Sequence, residues 1–294
     1  MQMNNDIIFE VIPHSKFASE ASAEKFMDRM INAVEEMKNV STINIPNIVE
    51  ENHLGLPYYR NFDNRKFGVI LRENCQKDII LNNVVVHFNP KEKFEEWLHE
   101  SINYYGIRNF VFVGAKIDSI KYPGPSVIEA NSIAKNKGIN FGNIFIPERE
   151  HEADRLISKT ISGCNFFTSQ VLFEPQSVIN VLSEYSVKCR ESHLRPAKFF
   201  LSFAPVSSPE DIAFIKWLGA EISEKTENRL KNAKSTGEES ISVILEALSK
   251  ISDSFDKEKL KIPIGLNIEY ISLHNLELSK NLVHSASELK IARW

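Results

Sequence analysis

Runs of apolar, β-branched or aromatic residues alternate along the chain with longer stretches whose apolar positions recur every three or four residues. The first run covers residues 7–12. After it, Phe26, Met27, Met30, Val34 and Met37 fall on one face of a helix predicted over about 18–38. Residues 42–45 form a second run, stopped by Pro46, and after a loop a helix is expected around 58–73. The third run, 83–88, leads into Asn89-Pro90, which reads as an N-cap followed by a first-turn proline. The helix this predicts carries Phe94, Trp97, Leu98 and Ile102 on one side.

The alternation then becomes more regular. Residues 109–113, 143–146, 164–171 and 198–203 read as strands four to seven. Helices follow them near 126–137, near 150–161, after Pro175 and after Ser208-Pro209. Residues 262–270 make an eighth strand, and a helix near 274–289 closes the chain.

Eight strands separated by helices in 294 residues is the arithmetic of an α/β fold of the (βα)8 TIM barrel type, taken here as one domain over 1–294. Strands buried on both faces should read as continuously apolar, as Val84-Val85-Val86 and 110–113 do. A doubly wound open sheet is the alternative. Neither GxGxxG nor GxxxxGK[ST] follows any of these strands, which weakens its nucleotide-binding version. The stretch of about 208–255 reads as a helical insertion before strand eight, with 231–239 an exposed turn between two of its helices.

Charge and cysteine usage narrow the partners. Thirty-five basic residues against 39 acidic ones give a net charge of −4 with no concentrated block, which argues against a nucleic-acid binder. Cys75, Cys164 and Cys189 are far apart and form no CxxC, so neither a disulfide framework nor a zinc ribbon is indicated. Residues 1–6 lack the basic and apolar regions of a secretory leader, and no apolar run approaches the ~20 residues that span a bilayer. The expectation is a cytoplasmic protein acting on a small molecule, without membrane contact and with its oligomeric state open.

A closed barrel is filled with side chains, so chemistry belongs at the carboxyl ends of the strands. Those ends supply Glu10, Asn47, His87, Gly114, Glu148, Arg149, Gln170, Ser202, Asn267 and Glu269. Glu10 stands between Phe9 and Val11, and an isolated buried charge is costly. Facing the barrel mouth, its pKa would rise and make it a general acid; paired with a lysine or arginine, it would be structural. Gln170 ends Thr168-Ser169-Gln170, and its amide suits either the edge of a heterocycle or a loop backbone. The eight histidines show no HxxxH or HxH spacing, so no metal site is expected and His87 reads as a packed residue. Tyr122-Pro-Gly-Pro-Ser126 is a turn signature.

Phe9-Glu-Val-Ile-Pro13, Pro147-Glu-Arg-Glu-His-Glu-Ala153 and the stretch from Lys159 to Gln170 are collinear segments that resemble the methylenetetrahydrofolate reductase family. Phe9-Glu-Val-Ile-Pro13 is similar to its first strand, FEFxPP or LELVPP. Pro147-Glu-Arg-Glu-His-Glu-Ala153 resembles its P-E-x-H-x-E-A loop. The stretch from Lys159 to Gln170 resembles K-x-x-x-G-A-x-x-x-x-T-Q, the most specific of the matches, and strand eight with its helix fits more loosely. The resemblance implies that Glu10 is the general acid and that Gln170 contacts the pterin. It implies cofactor-binding roles for His151 and Lys159, and reduction of a 5,10-methylene-tetrahydropterin to the 5-methyl form with NAD(P)H.

The chain also departs from the pattern. Flavin-containing members carry L-R-G-D after strand four, where this chain has Val113-Gly114-Ala115-Lys116 without the aspartate. The family histidine falls at Glu150, with His151 one place late. Ile45-Pro-Asn-Ile-Val-Glu-Glu51 is similar instead to the I-P-G-M-I-E-E of a divergent branch, some of whose members work without bound flavin. FAD is therefore left open, hydride arriving either directly or through it. The alternatives are a pterin-binding accessory subunit without catalysis and a C1 methyltransferase on the same barrel.

Overall fold

A computed structural model describes residues 6–115, 117 and 119–288; residues 1–5, Lys116 and residue 289, which enter the readings above, lie outside them. The first half of the chain forms β1 (Ile7–Glu10), α1 (Glu20–Glu36), β2 (Val40–Pro46), β3 (Val49–Glu51), β4 (Pro57–Tyr59), α2 (Asn64–Cys75), β5 (Asp78–Val84), a 3₁₀ turn (Val85–His87), α3 (Glu92–Asn103), β6 (Asn109–Val113) and α4 (Val127–Lys135). The second half forms β7 (Asn140–Phe145), α5 (Glu152–Ile161), β8 (Phe166–Val171), α6 (Pro175–Glu191), β9 (Lys198–Phe203), α7 (Pro209–Trp217), α8 (Glu224–Lys231), α9 (Thr236–Glu258), β10 (Ile264–Ile268) and α10 (Leu276–Glu288).

Eight parallel strands close in the order β1-β2-β5-β6-β7-β8-β9-β10, and β10 pairs back onto β1 with Ile7 opposite Leu266 and Phe9 opposite Ile268. Closure excludes the open sheet and makes the fold the expected (βα)8 barrel. Along each strand the side chains alternate between two environments. Ile8, Ile80, Val111, Phe166 and Phe200 fill the barrel, where the Phe166 and Phe200 rings meet edge to face at 5.8 Å. Gly142 and Gly265 make room for them: a Cβ at either would lie within 2.7 Å of one of these rings. The alternate positions, among them Ile7, Phe9, Ile43, Ile45, Phe110 and Phe112, pack outward against the helices. Each fully buried side chain of this size contributes about 1.5–3 kcal/mol.

The rim differs from expectation in three places. The third barrel strand is Asp78–Val84, not 83–88. Its register is fixed by Leu81 opposite Phe110 and Val84 opposite Val113, and the apolar Val85-Val86 that follows is buried in a turn. The loop after β2 holds an antiparallel hairpin, Val49 opposite Tyr59 and Glu51 opposite Pro57, so the helix expected from 58 begins only at Asn64. Asp63 sets that start by accepting from the backbone of Arg65 at 2.8 Å and Lys66 at 3.3 Å. Third, Asn89 does not cap α3. The Asn89-Pro90 peptide is cis, and Lys91 takes the N-cap position without a side-chain bond.

Between β9 and β10 the three helices α7, α8 and α9 bury an apolar cluster of their own, including Val206, Ile212, Ile215, Ile222, Leu230 and Val243. The turn expected between two helices there joins α8 to α9. The three cysteines are buried and unpaired. Among the described residues no helix is long and apolar enough to cross a membrane, and no three His, Cys, Asp or Glu side chains gather as metal ligands.

Candidate active site at the carboxyl end of the barrel

The register that sets Phe9 opposite Ile268 brings the residues following them, Glu10 and Glu269, out together at the same end of the barrel. Asn44 Nδ2 donates to Glu10 Oε2 at 2.7 Å, and Asn267 Nδ2 donates to Glu269 Oε1 and to Ser202 Oγ, both at 2.9 Å. Burial holds the Glu10 carboxyl well above the usual carboxylate range; the charge of Glu269 pushes it further, and Asn267 and Asn44 pull partly the other way. Burial likewise raises Glu269, to about 7, against the pull of Ser202 and Asn267. Among the described residues no lysine, arginine or histidine offsets either carboxyl.

Below this pair the barrel interior changes from apolar to polar. Asn82 and Thr168 stand two residues beyond the inward-facing Ile80 and Phe166, and Asn267 stands two beyond Gly265. Asn44 Oδ1, Asn82 Oδ1, Thr168 Oγ1 and Asn267 Oδ1 are buried without a hydrogen-bond partner in the protein. The three amide oxygens call for donors and the Thr168 hydroxyl can either donate or accept, so a ligand carrying N–H groups, or water, fits this layer.

The remaining rim candidates divide. Gln170 Nε2 donates to Leu218 O at 2.8 Å, so the loop after α7 orients its amide. Asn47 Nδ2 is engaged by Asn83 Oδ1 at 2.7 Å, and Glu148 accepts from Ser177 Oγ at 3.0 Å. His87 is no lone residue. Its Nε2 lies 2.9 Å from Glu51 Oε1, its ring meets that of Tyr122 edge to face, and Tyr122 donates to Glu51 Oε2 at 2.7 Å. Burial lowers the His87 pKa despite that carboxylate.

His151 and Lys159 lie elsewhere. With Ser126, Arg149 and Arg155 they line a groove of about 500 Å³ that neither Glu10 nor Gln170 lines. His151 takes a left-handed backbone conformation, φ 55°, ahead of α5. Lys159 is largely buried, donates to Ile144 O at 2.7 Å and stands 3.9 Å from Glu152 Oε1, and burial lowers its pKa. A structural role explains that arrangement of Lys159.

Several site residues escaped the sequence. Asn44 and Asn82 carry no signal beyond being amides in apolar strands. Glu51 and Tyr122 sit in segments read as loop and turn, and nothing in their spacing announces a contact with His87.

No family model and no curated protein matches the chain. Among solved structures, an uncharacterized protein from Clostridium thermocellum that binds two copies of 5-methyl-5,6,7,8-tetrahydrofolic acid is similar over 97% of this chain and 96% of that one, with a TM-score of 0.80 and 21% identity. The spore cortex-lytic enzyme SleL of Bacillus cereus is similar over 95% of this chain and 73% of that one, with a TM-score of 0.51 and 14% identity. At such identities the likeness is one of fold.

Proposed function

We propose that the protein binds a reduced folate, or a related pterin, at the carboxyl end of the barrel and reduces its 5,10-methylene group to 5-methyl with NAD(P)H. The observation that carries this reading is Glu10: a carboxyl at the barrel mouth whose burial beside Glu269 favours its protonated form, above a layer of unpartnered oxygens. The Clostridium thermocellum protein of similar fold, with its bound 5-methyl folate, supports the ligand class. The collinear motifs around Glu10 and Gln170 support the reaction.

Glu10 donates its proton to N10 as the bond from N10 to the bridging carbon breaks, the bonding electrons staying on N10. The N5 lone pair then forms a cationic double bond to that carbon. NAD(P)H, when bound, supplies the hydride that converts it to methyl. The unpartnered oxygens of Asn44, Asn82 and Thr168 accept from pterin N–H groups, and Gln170, oriented by Leu218, offers its carbonyl oxygen to the pterin edge. Positioning by these groups supplies much of the acceleration.

The outer groove presents Arg149, His151 and Arg155, which fit the phosphates of a dinucleotide, with Asp154 also in its lining and Lys159 committed to Ile144 O. The sequence after β6 departs from the flavin-containing pattern: Lys116, outside the described residues, stands in the place of the aspartate. No step is routed through flavin.

The test is NAD(P)H oxidation by the purified protein with and without 5,10-methylenetetrahydrofolate. Oxidation that depends on the folate and yields the 5-methyl product is expected. Folate binding without oxidation would make the protein a binding barrel, and methyl transfer without nicotinamide consumption would make it a methyltransferase.

A further inference from the structure

We propose that Glu269 is the positioning partner of Glu10: the two carboxyls hold one proton between them, and as the second half of the pair Glu269 keeps Glu10 in its acid form. The assignment rests on the reductase reading for its catalytic consequence, though the shared proton can be measured without it.

Three observations converge. The β1–β10 register delivers both side chains to one place, because Phe9 and Ile268 are paired and these are the next residues along. Asn267 bears on both: it donates to Glu269 Oε1 at 2.9 Å, and its amide pulls the Glu10 pKa down. No cation answers either charge among the described residues. Two neighbouring carboxyls with no cation beside them resist double ionisation in the ligand-free site, so one proton stays.

The other groups that face the pair leave the proton with it. Tyr270 stacks on Phe9 at 6.1 Å and donates to Ile12 O at 3.4 Å, and burial pushes its phenol far above neutrality. Arg29, on α1, is turned to Leu273 O at 3.0 Å. Asn44, Asn267 and Ser202 do not titrate.

The pair also changes its charge in step with the substrate. Before the reaction it carries one negative charge. When Glu10 gives its proton to N10 the pair becomes a dianion at the moment the substrate acquires its cationic carbon–nitrogen double bond, and the opposite charges attract. Glu269 thus acts twice, first by holding the proton on Glu10 and then by stabilising the cation formed on its departure.

The experiment is a pH titration of the glutamate carboxyls in the ligand-free full chain by carbon-13 NMR, for wild type, Glu269→Gln and Glu269→Asp, beside pH profiles of kcat/KM. Wild type should show two separated steps for the pair, the upper one well above the ordinary glutamate value of about 4.3. Glu269→Gln should leave a single Glu10 step at least about one pH unit lower. The alkaline limb of kcat/KM should move down with it, and Glu269→Asp should restore two steps. An upper step that stays in place in Glu269→Gln overturns the proposal. Should that variant not fold, two independent wild-type titrations near the ordinary value overturn it equally. A wild type that shows the shared proton but no turnover overturns the reductase reading and leaves the pair standing.

Discussion

His87 Nε2 lies 2.9 Å from Glu51 Oε1, which ties the turn after β5 to the hairpin of β3 and β4. Tyr122, from the loop after β6, holds the other carboxylate oxygen at 2.7 Å. Three rim segments that share no secondary structure are therefore fastened through one buried carboxylate. Replacing Glu51 with alanine takes the acceptor from the Tyr122 phenol and the carboxylate from beside His87, so Glu51→Ala should lose about 1–3 kcal/mol. Urea unfolding checks this, and an unchanged midpoint would show that the rim does not depend on the contact.

The same rim is built on a close approach at Gly124. A Cβ there would lie 2.4 Å from Val85 O and 2.7 Å from Val86 O, and Gly124 N donates to Val86 O at 2.8 Å. Neither obstacle is a movable side-chain end, so Gly124→Ala must push back the turn that carries His87. A loss of about 1–3 kcal/mol is expected, measured by thermal unfolding. Wild-type stability in the variant would mean that the loop can shift freely.

The barrel and Glu10 were legible in the sequence for the same reason. Parallel strands buried on both faces leave runs such as Phe110–Val113, and a carboxylate inside a run of that kind stands out. Asn82 and Asn83 diluted the run of β5, and Val85-Val86, buried in a turn, imitated a strand. The hairpin strands have three residues each, too few for a periodic signal. The contact of Glu51 with His87 spans separate loops and depends on barrel closure, which local pattern does not encode. Asn267 and Glu269 were visible as the end of a strand, but their pairing with Glu10 needed the β1–β10 register.

The carboxyl pair should cost stability as pH rises. For both groups the folded pKa lies above the unfolded value, so the folded state binds more protons than the unfolded state between about 4.3 and the folded values. Their favourable contribution is complete below about pH 4 and declines as pH rises through the folded pKa values. Glu269→Gln should therefore be more stable than wild type above about pH 7, by on the order of 1 kcal/mol, and nearly equal to it near pH 4. Melting temperatures across this range check it; a destabilised variant at high pH would contradict it.

Arg149 faces the outer groove with His151 and Arg155. If the phosphates of NAD(P)H rest there, Arg149→Ala should raise the nicotinamide KM about tenfold, roughly the loss of one charge-assisted contact, and leave folate affinity unchanged. Steady-state kinetics with each substrate varied in turn separates the two. An equal effect on both substrates would point to a general disturbance of the loop before α5.

Turnover and folate affinity measured side by side in wild type and Glu10→Gln test the central claim most directly. The amide keeps the size and the hydrogen bonds of the site but gives no acid proton, so turnover should fall at least about 100-fold while 5-methyltetrahydrofolate binds within a few-fold of wild type. Wild-type turnover in Glu10→Gln, or a wild-type protein that does not bind the folate at all, would contradict it.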